Sequence, residues 1–262
     1  MNKIGVVILT KNNLPVLKDC LSSILETVHT IPYTVYVCDT GSDSQTIDQT
    51  INFLQNNLSR DTCRLIQLNN YHFASNYNDI ISQYAHEKYI LLCNDDIILH
   101  ENCVDKMYQF ISQRDDIGTV GCKLIFPDGT IQHAGQHVYI DEYDMLQCTH
   151  HGYRTNKDYI SREVVGNTAA CCLIRRQVFI KNNGFDELYT ECWEDIQFNM
   201  RLKLSGYKNW YICDAVATHL ESVTRTKNEA AKYRLRYDYT YKLKPWFDSL
   251  SHQHQQHILK GA

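Results

Sequence analysis

The chain has 262 residues, 44% of them hydrophobic with only 4 Pro, which is enough to bury one α/β core or two lobes sharing a sheet and excludes a disordered protein. A formal charge of -4 excludes a protein that works by neutralising nucleic-acid phosphates, so no nucleic-acid partner is expected. The 11 Cys are scattered, odd in number and lack a C-x-x-C pair; they read as reduced core residues, not as a disulfide framework or zinc ribbon.

No apolar run approaches the roughly 18 residues that span a bilayer. Ile4 to Leu9, behind Lys3, is too short for a signal peptide and reads as a first strand, so a cytoplasmic protein is expected. That strand runs into the polar turn Thr10-Lys11-Asn12-Asn13, and Pro15 opens a helix carrying Leu17, Leu21, Ile24 and Leu25. Tyr33 to Cys38 is a second strand, ended by Asp39-Thr40-Gly41-Ser42-Asp43, and a helix with Ile47, Ile51 and Leu54 follows. Arg64 to Leu68 is a third strand, followed by a polar stretch from Asn69 to Asn78 and a helix with Ile80, Ile81 and Tyr84.

The fourth unit ends on Tyr89-Ile90-Leu91-Leu92-Cys93-Asn94-Asp95-Asp96-Ile97-Ile98, an apolar run closed by two acids. Carboxylates do not stay unpaired in a dry core, so Asp95 and Asp96 belong at the strand's carboxyl end. Repeated strand-loop-helix units imply a parallel sheet with right-handed crossovers, and each unit places its polar cluster along the same edge. Taken singly, each cluster is also what an ordinary turn is made of.

Beyond residue 116 the pattern changes. Val120 to Phe126, Pro127-Asp128-Gly129 and Thr130 to Gly135 form a hairpin, and residues 141 to 162 are polar without periodicity, which predicts a mobile loop. Val164 to Ile174 returns to the core, and Cys171-Cys172 reads as packing. Gly184-Phe185-Asp186-Glu187 is a turn. From Trp193 the residues Ile196, Phe198, Met200, Leu202 and Leu204 alternate as in a strand, but acids at the start, Arg201 and Lys203 near the end, and Gly206 beyond favour a helix buried on two sides. A short strand from Asn209 to Cys213 precedes Val216 to Ser222. The tail sets Arg234, Arg236, Lys242 and Lys244 among Tyr233, Tyr237, Tyr239 and Tyr241. Two readings stay open: a peripheral contact with an anionic membrane's cytoplasmic face or a partner, or a solvated helix packing its tyrosines on the body.

Taken in order, Ile8 to Asn12, Asp39 to Asp43, Phe73 to Asn78, Asn94-Asp95-Asp96, Pro127 to Gly135, Gly184 to Glu187, Glu194-Asp195 and His219-Leu220-Glu221-Ser222 make the chain resemble family 2 of the inverting nucleotide-sugar glycosyltransferases, in the branch that builds O-antigen, rhamnan and similar polysaccharides. The resemblance implies an α/β GT-A fold, a Rossmann-like three-layer sandwich with a mostly parallel central sheet. It implies one domain with a nucleotide-sugar-binding half (1–115), an acceptor and catalytic half (116–226) and a basic, aromatic helical tail (227–262).

The reaction it implies moves a sugar from a UDP- or dTDP-sugar donor to a glycan or lipid-linked acceptor by SN2-like displacement, assisted by Mn or Mg. Displacing a nucleoside diphosphate requires neutralising charge on two phosphates, which a cation held by hard donors supplies. By resemblance Asp96 and His219 hold that metal and Asp95 lies near the ribose. Thr10, Asn12 and Asp39 line the nucleotide pocket, with Asn76 a further candidate. Asp195 is the general base beside Glu194. Trp193, Gln132, His133 and Ser222 shape the sugar or acceptor pocket. Structural readings stand beside these: an Asx turn for Asp39, helix N-terminal acids for Glu194 and Asp195, a hairpin for residues 128–135 and a packed aromatic for Trp193.

This chain has Asn94 where the family often has an acid and Gln197 in place of a common third acid. His72 stands where many members have Gly, so that loop is expected to take another shape. Two alternatives remain at this stage: a sugar nucleotidyltransferase, which calls for a Gly-rich basic triphosphate loop that Lys11 alone does not provide, and a non-catalytic nucleotide- or glycan-binding module.

Overall fold

The computed structural model describes residues 4–59, 61–149, 156–190, 192–220 and 229–260. The first four units follow in the expected order: β1 (Ile4–Thr10), α1 (Leu14–Thr27), β2 (Tyr33–Asp39), α2 (Ser44–Asn57), β3 (Cys63–Gln67), α3 (Phe73–Gln83) and β4 (Tyr89–Asn94). After β4 the chain turns through Asp95 and Asp96 into β5 (Ile97–Leu99), then α4 (Cys103–Ser112), β6 (Ile117–Ile125), β7 (Ile131–His133), β8 (His137–Ile140) and β9 (Leu146–Thr149). A single helical turn (Asn156–Tyr159) leads to β10 (Arg162–Val164), β11 (Cys171–Arg175), α5 (Arg176–Lys181), α6 (Glu194–Leu204) and β12 (Lys208–His219). The tail is helical throughout its described part: α7 (Glu229–Asp238), a wide turn (Tyr239–Leu243), α8 (Lys244–Asp248) and α9 (His252–Leu259).

The central sheet has the order β10-β12-β6-β11-β4-β1-β2-β3, with β5 and β7 paired outside that path to β12 and β6. β4, β1, β2 and β3 are mutually parallel, β11 runs against them, and β6 and β12 resume the first direction before β10 reverses again. Side chains alternate across β1. Ile4, Val6 and Ile8 pack with α1, α2 and α4, while Val7 and Leu9 pack with α3, α5 and α6. Helices therefore cover both faces, because strands without a polar side need two apolar covers.

α6 explains the ambiguous alternation. Polar positions such as Gln197, Asn199 and Lys203 are buried along with Ile196, Phe198, Met200 and Leu202, so the helix has no solvent face to impose a 3.6-residue period.

Two expectations change. Residues 146–149 do not form a loop: β9 pairs antiparallel with β8 from His137↔Thr149 to Ile140↔Leu146. Polar residues outside masked the hairpin, while Val138 and Leu146 bury inward against α6, α8 and α9. The short strand at 209–213 is the first part of the 12-residue β12, whose register shifts between Ile212 and Val216 and hides its continuity. His72 avoids a positive φ, as a residue with a Cβ is expected to. Its backbone is extended (φ -150°) and its Nδ1 accepts the Ser75 N–H as the N-cap of α3.

Candidate active site

Strand register brings the polar clusters together. Thr10 pairs with Asp39, and Leu9 with Asn94, so three strands end at the same level and deliver their loops to one edge. Thr10 Oγ1 donates to Asp95 Oδ2 at 2.8 Å and Asn13 Nδ2 donates to the same oxygen at 3.3 Å. Burial pushes the Asp95 carboxyl up to about 6; the Asp96 charge pushes the same way, while the Thr10 and Asn13 donors pull back.

Asp39 is 2% exposed, and its Oδ1 accepts the N–H groups of Gly41 (3.0 Å) and Ser42 (2.9 Å), which makes an Asx turn. Asn12, at φ 51°, accepts Asp43 N–H on its side-chain oxygen at 2.9 Å and ties the first loop to the second. Gly41 is needed here, with φ +100° and the Asn69 carbonyl 3.0 Å from where a Cβ would sit. Asn76 Oδ1 accepts His72 N–H at 2.8 Å and closes the start of its own helix.

The short strand β5 carries the main topological surprise. It runs antiparallel to the end of β12, with Ile97 opposite His219, and Leu220 N–H bonds the Asp96 carbonyl at 3.0 Å. Two residues more than 120 positions apart thereby meet: His219 Nε2 lies 3.1 Å from Asp96 Oδ1, both side chains being largely buried. Gln132 Oε1 lies 2.7 Å from His219 Nδ1 on the other side of the ring. The Asp oxygen is a hard donor of the kind that suits Mn or Mg, whereas the imidazole nitrogen is a softer one better matched to a transition metal than to Mg. Among the described residues no group of three or more His, Cys, Asp or Glu could hold a metal, and Asp96 with His219 brings two donor atoms together.

Opposite lies the start of α6. Asp195 is 9% exposed; its Oδ2 accepts Ala169 N–H (3.1 Å) and Gln136 Nε2–H (3.5 Å), and its Oδ1 accepts Ile196 N–H (2.7 Å). Trp193, just before it, has φ 83°, a backbone conformation that an indole-bearing residue adopts only at a cost of about 1–3 kcal/mol. Its ring is anchored, with Nε1 donating to the Leu235 carbonyl at 3.1 Å and the indole packing on Tyr239. Trp193 therefore joins the site to the tail. Beneath α6 lies a buried polar network: Thr119 Oγ1 donates to Asn199 Oδ1 (2.7 Å), Asn199 Nδ2 donates to the Asp195 carbonyl (2.7 Å) and the Asn167 carbonyl (2.9 Å), and Asn209 Nδ2 donates to the carbonyls of Val165 and Asn199.

A cavity of about 270 Å³ opens between these walls and is lined by Asn94, Gln132, His133, Glu194, Asp195 and His219 among others. His133 Nε2 accepts Thr168 N–H at 3.5 Å, so it also props the cavity wall. Of the residues singled out from sequence, Gln132, His133, Glu194, Asp195 and His219 share this cleft, with Asp96 against His219. Asp95, Thr10, Asn12 and Asp39 belong to the neighbouring strand edge, and Ser222 lies outside the described residues. Sequence reading missed Thr119, Gln136, Asn167, Asn199 and Asn209, polar residues whose partners are mostly far away in the chain.

Residues 5–182 match the family described as glycosyl transferase family 2. Among curated proteins, the O-antigen biosynthesis protein RfbC of Myxococcus xanthus is 26% identical over 232 residues, which is 85% of this chain and 18% of that protein. The N-acetylglucosaminyl-diphospho-decaprenol L-rhamnosyltransferase of Mycobacterium tuberculosis is 22% identical over 166 residues, 59% of this chain and 54% of that one. Both relatives thus extend well beyond the matched region. Among solved structures, the mannosyltransferase PcManGT of Pyrobaculum calidifontis, in complex with GDP-Man and Mn2+, superposes with a TM-score of 0.69 at 14% identity over 98% of this chain and 68% of that one. S. aureus TarS 1-349, in complex with UDP-GlcNAc, gives 0.64 at 18% identity, covering 98% and 70%.

Proposed function

Since the chain belongs to glycosyl transferase family 2 and has its GT-A fold, we propose that it is an inverting transferase that moves a sugar from a nucleoside-diphosphate donor, a UDP- or dTDP-sugar, to a glycan or lipid-linked acceptor. One observation carries this reading: a single cleft has Asp195 on one wall and His219, paired with Asp96, on the other. The nucleotide belongs against residues 1–115, whose loops gather at the edge formed by Thr10, Asn12, Asp39 and Asp95. The acceptor belongs against residues 116–226, with Glu194, Trp193, Gln132 and His133 shaping its side.

In this mechanism Asp195 takes the proton from the acceptor hydroxyl as that oxygen attacks the anomeric carbon from the face opposite the leaving diphosphate. The N–H groups of Ala169, Ile196 and Gln136 aim its carboxylate and keep it in one rotamer. Asp96 and His219 are the residues that would hold Mn or Mg, which when bound supplies charge neutralisation to the departing diphosphate. Asp95 sits beside them where a ribose hydroxyl would be received.

A peripheral membrane contact made by the tail is part of the same proposal. No helix among the described residues is long and apolar enough to cross a membrane. On α7 and the turn after it, Tyr233, Tyr237 and Tyr241 are 69%, 43% and 66% exposed, with rings 6.4 and 4.8 Å apart along a stripe flanked by Arg234 and Arg236. Such a face suits the headgroup layer of an anionic bilayer, where a lipid-linked acceptor would lie. Sedimentation with phosphatidylglycerol but not phosphatidylcholine vesicles, lost in Tyr233→Ser/Tyr237→Ser, is the expected result.

The activity itself is tested by incubating the chain with UDP-, dTDP- and GDP-sugars and following nucleoside diphosphate release, with and without Mn. Release from one donor class, abolished in Asp96→Ala, supports the transferase. Binding of a nucleotide sugar without turnover would favour a non-catalytic module, and pyrophosphate-dependent formation of nucleoside triphosphate would favour a nucleotidyltransferase.

A further inference from the structure

We propose that Gln132 is a positioning residue that fixes the tautomer and ring orientation of His219 and so keeps the Asp96 and His219 pair open to a cation. The proposal rests on the reading of that pair as a divalent-metal site. Gln132 is 4% exposed and sits where the β6 and β7 register is irregular, between the pairs Leu124↔His133 and Ile125↔Ile131. Such an irregularity re-aims a side chain that a regular strand would send elsewhere.

The Gln132 Oε1 atom, 2.7 Å from His219 Nδ1, can only accept, so Nδ1 carries the proton. In the neutral ring the remaining lone pair is then on Nε2, which lies 3.1 Å from Asp96 Oδ1. Two electron-rich atoms at that separation repel unless something positive lies between them. Gln132 therefore holds the ring in the form that offers both atoms to a cation. Without that acceptor the ring is at liberty to take its other tautomer and donate Nε2–H directly to Asp96. That hydrogen bond would engage both ligands with each other and close the site to metal.

The test titrates Mn2+ alone into the full chain and reads unbound Mn2+ by electron paramagnetic resonance, with melting temperatures confirming a folded protein. Gln132→Met, of similar length but without an amide acceptor, is expected to weaken Mn2+ binding by about 10- to 100-fold. Gln132→Glu, whose carboxylate also accepts from Nδ1–H, is expected to stay within a few-fold of wild type or bind more tightly. If Gln132→Met does not fold, Gln132→Leu takes its place. In the background of His219→Ala, the Gln132→Met change is expected to add little, because it acts through that ring.

Full additivity of the two changes, or undiminished binding by Gln132→Met while His219→Ala is weakened, would overturn the role of Gln132 and leave the metal pair standing. Unchanged binding by His219→Ala and Asp96→Ala, or no binding by wild type, would remove the metal reading itself and this proposal with it.

Discussion

On the wall built from the first strands, Asp39 is fixed by N–H groups two and three residues ahead of it and Asp95 by Thr10 and Asn13 from an adjacent loop. On the opposite wall, Asp195 and the helix behind it are fixed by Gln136, Ala169, Thr119, Asn167 and Asn209, drawn from separate segments between residues 119 and 209. The first wall is held by turns, the second by a buried polar network. Glycines mark the difference: a Cβ on Gly118 would sit 2.5 Å from Asn209 Oδ1, and one on Gly166 would sit 2.5 Å from Asn199 Cβ, so the backbone is kept bare to admit the asparagines. A turn-held group can be loosened without unfolding the protein. A network-held group cannot, because each partner left behind is buried and unsatisfied.

The largest expected effect separates chemistry from scaffolding. Asp195→Asn keeps the size of the side chain but removes the base, and kcat is expected to fall by about 100- to 10,000-fold in a protein that still folds, with its thermal unfolding transition lowered because the new amide N–H2 faces donors that the carboxylate accepted. Retention of activity within tenfold, measured as diphosphate release with the donor found active, would remove Asp195 from the mechanism.

Asn199→Leu should show the reverse pattern. It removes one partner each from the Thr119 hydroxyl and from the Asn167 and Asp195 carbonyls at once, and a stability loss of about 3 kcal/mol is expected, several times that of any single donor on the first wall. Urea denaturation measures it. A loss under 1 kcal/mol would mean that the network is no stiffer than a turn, and the contrast between the walls would go with it.

The same contrast explains what could be read in advance. Strands such as Ile4 to Thr10 and Tyr89 to Asn94 declare themselves by unbroken apolar runs, and the turn chemistry of Asp39 to Asp43 is local, so the first wall was legible residue by residue. The strand Ile97–Leu99 was not. Three apolar residues carry no period, and only pairing with β12 makes them a strand that brings Asp96 to His219. Asn167, Asn199 and Asn209 read as ordinary polar residues because their value lies in partners 10 to 90 positions away. Trp193 reads from sequence both as a pocket aromatic and as a packed one; its ring anchors α7, and its positive φ has no signature in the residue type.

A smaller effect sharpens the comparison from the turn-held side. The folded-state pKa of Asp95, about 6, lies above its ordinary 3.8, so the folded chain binds this proton more tightly than the unfolded chain. Its contribution to metal-free stability is therefore full below about pH 4, falls as pH rises towards 6 and is gone above that. Asp95→Asn removes the ionisation, and the variant should gain on the order of 2 kcal/mol over wild type at pH 7 relative to the same difference at pH 4. Equal differences at the two pH values in denaturant titrations would contradict a buried, proton-holding carboxyl.

The smallest change tests the donor that opposes that burial. Thr10→Val is close to isosteric and removes the hydroxyl that Asp95 Oδ2 accepts at 2.8 Å. A hydrogen bond to a partly buried carboxylate contributes about 1 kcal/mol or somewhat more, but its strength depends on the charge of the acceptor. Above pH 6 Asp95 is ionised and the loss should be fully felt; near pH 4.5 the carboxyl is protonated, the bond is between neutral groups and the loss should shrink to a few tenths. In the Asp95→Asn background the pH dependence should vanish, since the acceptor no longer titrates. A Thr10→Val penalty of the same size at both pH values would show that the hydroxyl acts by packing, and that what holds Asp95 in place is the loop at Asn13 alone.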